Sequence, residues 1–345
     1  MLNLYKKMFL IRTFEEKILE LFNTGLLNGT THTCIGQEAI PVSSLANIKE
    51  SDIVVSNHRG HGHFIAYGGS PKKLLLEIMG SKNGICSGFG GSQHLHYKNF
   101  YSNGILGGMV PVATGISLSE KIKNNNNIVI SFLGDGALGE GIVYESFNIT
   151  SLLKLPIVFI IENNMYSQST PIQNNLSGLI KYRLKAFNIP VEEHTSNDVF
   201  LLNNIFQKTF DYVRKNRNPY CIIVNTYRLS PHSKGDDTRN LDEINDWKKK
   251  DPLIISSKKL FREDVDLINK EIKEFINNIV TECIEEEKNS DYTPIINNIN
   301  NNKCSQSSYL NSVHENFGSQ HLNYCLNELL KNDNKCLILG EDIID

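Results

Sequence analysis

Residues 127–164 read NIVISFLGDGALGEGIVYESFNITSLLKLPIVFIIENN, and this segment decides the fold. Two apolar runs, NIVISFL and LPIVFII, enclose a stretch long enough for one helix. This pattern predicts two neighbouring parallel strands joined by a crossover helix. Asp135 follows the first run and Asn164 follows the second. Both side chains are therefore expected at the carboxyl ends of the strands, where open parallel sheets bind ligands.

Asp135 and Asn164 carry the oxygen ligands that Mg²⁺ and Ca²⁺ prefer. Mg²⁺ usually completes its octahedron with water and with phosphate oxygens. Gly134 and Gly136 flank the aspartate, so the backbone can turn tightly and bring amides of the next helix to the phosphates. The segment therefore predicts a diphosphate held through a metal ion. Taken alone, Asp135 could equally cap a helix, and Asn164 could occupy a turn.

The same residues also match a second sequence motif. Gly134, Gly136 and Gly139 form G-x-G-x-x-G between a strand and a helix, and Glu162 lies near the spacing of the ribose-binding acid in Rossmann domains. A nicotinamide-dependent oxidoreductase is therefore an alternative, although this motif has many false matches.

Strands and helix-length segments alternate along most of the chain. A third apolar run, PYCIIVNTYR, occupies residues 219–228, and Ile11, Phe14, Ile18 and Leu21 recur at helical spacing near the N-terminus. This alternation predicts an α/β fold in which helices cover both faces of a doubly wound parallel sheet.

Composition narrows the class of protein. The 345 residues are 40% hydrophobic and 21% charged, with a formal net charge of −3, so we expect a soluble globular protein without nucleic-acid or membrane partners. No apolar run approaches the roughly 20 residues that span a bilayer. The seven cysteines form no CxxC pair, and Glu15 and Glu16 are wrong for a transit peptide. These features predict a cytoplasmic protein with free thiols.

The GDG at residues 134–136 and the NN at residues 163–164 resemble the signature of the thiamine diphosphate enzymes. The chain is most similar to the alpha subunit of the decarboxylating component of 2-oxo acid dehydrogenase complexes, the pyruvate dehydrogenase family, from about residue 10 to residue 285. The resemblance implies a thiamine diphosphate-binding fold with Mg²⁺. It also implies oxidative decarboxylation of a 2-oxo acid, with pyruvate preferred, and acyl transfer to a lipoyl domain.

By this resemblance, the side chains of Asp135 and Asn164 and the backbone carbonyl of Tyr166 ligate Mg²⁺. Gly136 and Ala137 follow the aspartate and contact the cofactor.

A second segment, HRGHGH, occupies residues 58–63. The resemblance implies that Arg59 binds the diphosphate, since guanidinium groups suit phosphate oxygens, and that His58 lines the cofactor. His61 is expected to face the substrate as a catalytic residue, with a buried, hydrogen-bonded histidine as the alternative. The three histidines could instead form a zinc site with Cys34 or His32.

Two glycine-rich or polar loops complete the resemblance. In GGSQHLHYKNFYSNGILGGMVP, residues 90–111, the Gly104 carbonyl and the Leu106 amide are implied to bind the aminopyrimidine ring. In TYRLSPHSKGDDTRN, residues 226–240, His232 is implied to reach the phosphate and the mouth of the active site as a catalytic and cofactor-binding residue. Pro231 replaces the usual glycine before it. We expect this polar loop to be mobile until the diphosphate binds.

The chain is expected to contain three parts. Residues 1–285 form the alpha-like diphosphate-binding domain, and the polar residues 286–308 form a linker. Residues 309–345 resemble the start of a beta-like pyrimidine-binding domain, so a truncated, fused alpha-beta chain is expected. The resemblance implies three partners: a beta subunit or fused beta part, a lipoyl acyltransferase and a small 2-oxo acid. The implied assembly is an α2β2 heterotetramer or a dimer of fused chains.

Three other functions fit parts of this pattern. An acetoin dehydrogenase alpha subunit has a very similar sequence, and a nicotinamide-dependent oxidoreductase would use the glycine motif. A non-catalytic structural partner would lack the glutamate that activates the cofactor, which the resemblance places outside residues 1–345.

Because that glutamate and half of the cofactor pocket are expected across an interface, residues 1–345 alone should be catalytically silent. Decarboxylation assays with pyruvate, branched 2-oxo acids and acetoin should give rates at background. Measurable turnover by this chain alone would place the activating acid within it.

Overall fold

The computed structural model describes residues 1–27, 29–233, 235, 237–288 and 318–332. It divides the chain into two compact units, Met1–Ser290 and Asp291–Asp345. Within the described residues, the strands are β1 Ile53–Ser56, β2 His96–Tyr97, β3 Phe100–Ser102, β4 Val129–Gly134, β5 Ile157–Asn163, β6 Tyr166–Ser167, β7 Thr170–Pro171, β8 Val191–His194 and β9 Tyr220–Asn225.

The helices of the first unit surround these strands, and the described part of the second unit is one helix. They are α1 Leu2–Asn23, α2 Ala39–Leu45, α3 His61–Tyr67, α4 Pro71–Ile78, α5 Met109–Ile122, α6 Gly141–Leu152, α7 Ile172–Asn175, α8 Ile180–Lys185, α9 Val199–Asn216, α10 Leu241–Lys248, α11 Pro252–Ser257, α12 Arg262–Lys288 and, in the second unit, α13 Gly318–Asn332. No helix among the described residues is both long and apolar enough to cross a bilayer.

Seven strands form the main sheet in the order β2-β3-β1-β4-β5-β9-β8, and all neighbours except the β2-β3 pair are parallel. The α/β fold with a doubly wound, mostly parallel sheet is therefore confirmed. The motif strands β4 and β5 are neighbours, and α6 is the crossover between them, as the opening segment predicts. The short antiparallel strand β2 at one edge was not anticipated.

Two hydrophobic cores lie on opposite faces of the sheet, because successive strand residues point in opposite directions. On β5, Val158 and Ile160 enter the core covered by α1–α4, α9 and α12. Ile157, Phe159 and Ile161 enter the core covered by α5, α6 and α8. A continuous apolar run such as IVFII is typical of a strand that is buried on both faces.

The predicted domain boundary at residue 285 falls within helix α12. This helix ends at Lys288, so it continues past residue 285 into the range assigned to the linker. The helix predicted after the linker is present as α13. The rest of the predicted linker and the strand CLIL lie outside the described residues, and the assignment to a beta-like domain stays a prediction.

A buried ion pair fixes the start of the sheet to a covering helix. Asp52 precedes β1 and is fully buried, and it accepts the Ile128 amide at 3.0 Å and the Lys49 amide at 2.7 Å. Arg214 of α9 adds a two-point contact, with Nη1 to Oδ1 at 2.7 Å and Nη2 to Oδ2. The Asp52 charge is therefore compensated entirely by groups of the fold.

Arg214→Met should lower the free energy of unfolding by about 3–5 kcal/mol, because it leaves a buried carboxylate without its cation. Urea unfolding followed by circular dichroism would measure this loss. The double variant Arg214→Met, Asp52→Asn should recover part of it. The matched control is Lys249→Met, which breaks the exposed pair with Asp246 and should leave the midpoint unchanged. An unchanged midpoint for Arg214→Met would contradict the assignment.

Candidate functional site

Asp135 lies where β4 ends and a 3₁₀ turn, Asp135–Gly139, begins. Its side chain is 1% exposed, and neither carboxylate oxygen has a hydrogen-bond partner among the described residues. Burial raises the pKa of Asp135 to about 7, although nearby backbone amides and the side chains of Arg228 and Arg59 offset part of that rise. A buried carboxylate without a partner is costly, so this position favours a bound cation.

The 3₁₀ turn approaches the next part of the chain closely. A Cβ atom on Gly136 would lie 2.6 Å from Oγ of Ser167, so this position accepts only glycine without a shift of its neighbour. Ala137 follows in the turn and is buried. The small residues after Asp135 therefore let the strand of Ser167 close over the turn.

Asn164 follows β5 and lies beside the aspartate. Its Nδ2 donates to Oε1 of Gln37 at 3.4 Å, and its Oδ1 accepts the Tyr166 amide at 3.2 Å. Met165 between them has a φ of 68°, a left-handed conformation that side-chain-bearing residues rarely adopt. The strained turn holds Asn164 and Tyr166 together, and Oδ1 keeps a second lone pair for a ligand.

Arg59 joins the second predicted segment to the His232 loop. The side chain is 4% exposed, its Nη1 donates to the carbonyl of Thr33 at 2.6 Å, and its Nη2 lies 3.3 Å from Nδ1 of His232. Residues far apart in the sequence thus meet at one guanidinium.

Three imidazole rings cluster beside Arg59. His32 lies 4.6 Å, centre to centre, from both His58 and His232, and the last two rings are 5.7 Å apart. Burial, together with the nearby charge of Arg59, lowers the pKa of His32 to about 3, and the same causes depress the pKa of His58 and His232. The three rings are therefore neutral near pH 7. The guanidinium of Arg59 disfavours a metal cation beside it, although neutral imidazoles are the form that binds metals.

The zinc site considered for residues 58–63, with Cys34 or His32 as a further ligand, is not formed among the described residues. His63 bonds Ser56 at 2.7 Å and Glu162 at 3.2 Å, away from the imidazole cluster. Burial raises the pKa of the Cys34 thiol well above its usual value, which disfavours the thiolate that zinc binds. The ring nitrogens of His32, His58 and His232 do come within 4.8 Å of one another, but this is a different set of ligands from the one predicted.

His61 occupies the buried alternative rather than a place facing the substrate. It is 0% exposed, with Nδ1 lying 3.1 Å from Oε2 of Glu15 and Nε2 lying 2.9 Å from Oγ of Ser92. Because both ring nitrogens are engaged, these contacts favour the buried, hydrogen-bonded alternative, and a catalytic role for His61 stays a prediction. His58 and Arg59 precede α3, and His61 begins it, so their side chains point in different directions. The spacing of these residues in the sequence does not predict those directions.

The Gly104 loop contacts the imidazole cluster through Gln93. A Cβ atom on Gly104 would lie 2.2 Å from Oε1 of Gln93, and Nε2 of Gln93 lies 3.3 Å from Nδ1 of His32. Leu106 follows, and the next amide, that of Gly107, donates to Glu140 at 2.8 Å. The structure therefore places this loop against the cluster.

Arg228 is a site residue that sequence analysis missed. It is 2% exposed, its Nη2 donates to the Gln168 carbonyl at 2.6 Å, and its Nε and Nη1 have no partner within the described chain. Burial, with Arg59 and Arg239 nearby, lowers the pKa of Arg228 to about 9. The sequence could have predicted its place, because Arg228 closely follows β9, the strand next to β5, and ligands bind at the carboxyl ends of such strands.

The unpartnered side-chain atoms of Asp135 and Arg228 can all be satisfied by one kind of ligand. Asp135 offers two free carboxylate oxygens, and Arg228 offers two free donors beside the guanidinium of Arg59. An anion with its own cation satisfies all of them, since the cation meets the carboxylate and the anion meets the arginines. The donor set therefore fits a metal-bound diphosphate.

Glu162 is not available for a ribose. It is 3% exposed, its Oε1 lies 3.2 Å from Nε2 of His63, and its Oε2 accepts from Asn57 at 3.4 Å. The nicotinamide alternative depends on this acid reaching a ligand. The buried network therefore argues against that alternative.

The loop that carries His232 is held by Arg239, which sequence analysis did not anticipate. Its Nη1 donates to the carbonyl of Arg228 at 2.8 Å, and its Nη2 donates to the carbonyl of Ser230 at 3.0 Å. Asp237 pairs with the same guanidinium at 2.7 Å. Arg239 is therefore an anchor of the loop, while the expected ordering on cofactor binding stays a prediction.

Fold and site together define a cofactor-binding α/β enzyme. The chain belongs to the dehydrogenase E1 component family, whose model matches residues 6–303. The pyruvate dehydrogenase E1 component subunit alpha of Rickettsia felis is 37% identical over 297 residues, which is 83% of this chain and 90% of that protein. The subunit of the same name from Zymomonas mobilis is 37% identical over 273 residues, 77% of each chain. A testis-specific, mitochondrial form from Rattus norvegicus is 33% identical over 289 residues, 82% of this chain and 73% of that protein.

Arg239→Gln should make the His232 loop easier to cut. The change removes two donors to loop carbonyls, and each lost hydrogen bond to a charged group costs about 1.5–3 kcal/mol, so tryptic cleavage after Lys234 should accelerate about tenfold or more. Mass spectrometry would locate and time the cut. Arg262→Gln is the control, because that side chain is 94% exposed. Equal cleavage of the two variants would remove Arg239 as the anchor.

Proposed function

We propose that this chain is the alpha subunit of a 2-oxo acid dehydrogenase that decarboxylates pyruvate with thiamine diphosphate and Mg²⁺. The acyl group then passes to the lipoyl domain of an acyltransferase. The observation that carries the proposal is the buried carboxylate of Asp135, which has no hydrogen-bond partner in the described chain although it lies near Arg59 and Arg228. The relatives named pyruvate dehydrogenase support pyruvate as the substrate.

Asp135, Asn164 and the carbonyl of Tyr166 would hold Mg²⁺. The first two supply side-chain oxygens at the ends of neighbouring strands, and the strained turn at Met165 keeps Tyr166 next to Asn164. Three oxygen ligands leave positions for phosphate oxygens, which suits Mg²⁺ better than a cage made entirely by protein.

Arg59 and Arg228 would hold the diphosphate. Both guanidinium groups are buried, and burial lowers the pKa of each. Two buried cations are unfavourable without an anion, so binding a diphosphate relieves their mutual repulsion. Gly136 and Ala137 would add contacts from the 3₁₀ turn, where close approach is possible.

The ring end of the cofactor would lie against the Gly104 loop. The Gly104 carbonyl and the Leu106 amide would bind the aminopyrimidine, and both belong to the loop that touches His32 through Gln93. When bound, thiamine diphosphate supplies the electron sink for decarboxylation, while the protein supplies its orientation and electrostatic surroundings.

The imidazole cluster of His32, His58 and His232 would bind the carboxylate of the 2-oxo acid. All three rings have lowered pKa values and are neutral, so each offers one N–H donor rather than a full positive charge. Neutral donors orient a carboxylate without the strong ion pair that would stabilise the ground state before it loses carbon dioxide.

A beta subunit, or a fused beta part, would complete the enzyme. Several apolar side chains on the adjacent helices α5 and α6 are exposed in this chain: Val112, Ile122, Ile149 and Leu152. Exposed apolar surface of this kind is typical of an interface. An α2β2 assembly or a dimer of fused chains is the arrangement we propose. The free thiols Cys34, Cys86, Cys221 and Cys283 support a reducing cytoplasm.

Asp135→Ala should abolish metal-dependent binding of thiamine diphosphate. Removing a buried charge partner typically costs about 3–5 kcal/mol, so affinity should fall by about 100-fold or more. Calorimetry on the complete enzyme with Mg²⁺ would measure it, and Asp246→Ala, at an exposed position, is the control. Asp135→Asn should lose binding too without lowering the Tm of the cofactor-free protein, since the native carboxylate has no partner to lose.

Unchanged affinity in Asp135→Ala, or tight NADH binding by the wild-type protein, would overturn the proposed function. Turnover of the complete enzyme with pyruvate, branched 2-oxo acids and acetoin would then separate the substrate classes. Faster turnover of acetoin than of pyruvate would favour an acetoin dehydrogenase.

A further inference from the structure

Glu77, near the end of α4, is a buried carboxylate outside the site described above. It is 0% exposed and accepts four backbone amides of the following loop. Oε1 accepts from Gly90 at 2.7 Å and Gly91 at 3.2 Å. Oε2 accepts from Cys86 at 2.7 Å and Gly88 at 2.9 Å. One side chain thus satisfies donors across residues 86–91.

The glycines of this loop allow it to close around Glu77. A Cβ atom on Gly84 would lie 2.4 Å from Oε2 of Glu77. Gly88 has a φ of +80°, and a Cβ atom there would lie 2.4 Å from the carbonyl oxygen of Gly80. A chain with side chains at these positions could not wrap the carboxylate so closely. The loop conformation and the carboxylate therefore depend on each other.

The wrapped loop continues directly into residues that touch the site. The Gln93 carbonyl accepts the Ser102 hydroxyl at 2.7 Å, which fixes it next to the end of β3. The Gln93 side chain fills the space beside Gly104 and reaches His32 at 3.3 Å. Ser92 holds His61 on the other side. The amides bound by Glu77 are thus at most seven residues from the contacts with His32 and Gly104.

We propose that Glu77 is a positioning residue that sets the ring-binding end of the cofactor site through loop 86–93. The inference rests on the proposed function, because loop 86–93 contacts, through Gln93, the Gly104 residue whose carbonyl would bind the aminopyrimidine. The groups proposed for the diphosphate make no direct hydrogen bond to loop 86–93 within the described chain: Asp135 follows β4, Arg228 follows β9, and Arg59 contacts Thr33 and His232.

The carboxylate is essential to this arrangement because it accepts at both oxygens. In Glu77→Gln, one oxygen becomes an NH₂ group, which faces two backbone donors and cannot accept from them. One pair of loop amides then loses its acceptor while remaining buried, which favours a different loop conformation. Gln93 and Gly104 shift with it, whereas the arginines and Asp135 do not.

The test compares two ligands on the complete enzyme in the presence of Mg²⁺. Calorimetry would give the Kd of thiamine diphosphate, and competition would give the Kd of inorganic diphosphate. Glu77→Gln should weaken thiamine diphosphate binding about tenfold or more, because two hydrogen bonds to a charged group are lost, and should leave inorganic diphosphate binding unchanged. Glu282→Gln, at an exposed position on α12, is the matched control and should change neither value.

A second variant keeps the proposal testable if Glu77→Gln does not fold. Gly88→Ala leaves the carboxylate in place but disturbs the loop, so it should give the same selective loss. Equal weakening of both ligands, or no weakening of either, would overturn the positioning role alone. A wild-type enzyme that binds neither ligand with Mg²⁺ would overturn the proposed function and this inference with it.

Discussion

The site depends on one buried carboxylate of the first helix. Glu15 is fully buried, accepts the Cys34 amide at 3.0 Å and lies 3.1 Å from the ring of His61. It thereby joins α1, α3 and the segment 31–38, which precedes α2. That segment supplies His32 to the imidazole cluster, a carbonyl to Arg59 and Gln37 to Asn164. A carboxylate outside the candidate site thus holds the segment that supplies these groups to it.

The buried charges of this chain fall into two kinds. Glu15, Glu77 and Asp52 have partners within the fold, so their burial is compensated and they act as structural fixtures. Asp135 and Arg228 retain unpartnered atoms within the described chain, and such groups lower stability until a ligand arrives. Partnered buried charges therefore support the structure of the site, whereas unpartnered ones are candidates for ligand binding. Both kinds are equally buried.

The sequence predicts the parts of the site that follow from local pattern. Asp135 and Asn164 could be placed because strand ends are visible as limits of apolar runs. Arg228 could have been placed in the same way, because it closely follows β9. The contacts of His61 and Glu77 could not be predicted, since they are made with residues distant in the chain or depend on which way a turn residue points. The antiparallel strand β2 was missed for a related reason, because two residues are too few to show the alternation of apolar and polar side chains that marks a strand.

The two ends of the main sheet have a consequence for assembly. At one end stands β2, only two residues long, and at the other stands β8, Val191–His194, which carries Glu192 and Glu193. Short strands and charged edges are poor templates for another chain's strand. Larger assemblies of this protein are therefore expected to form through its helix-covered faces, because its sheet edges resist the strand-to-strand pairing that leads to extended β-structure.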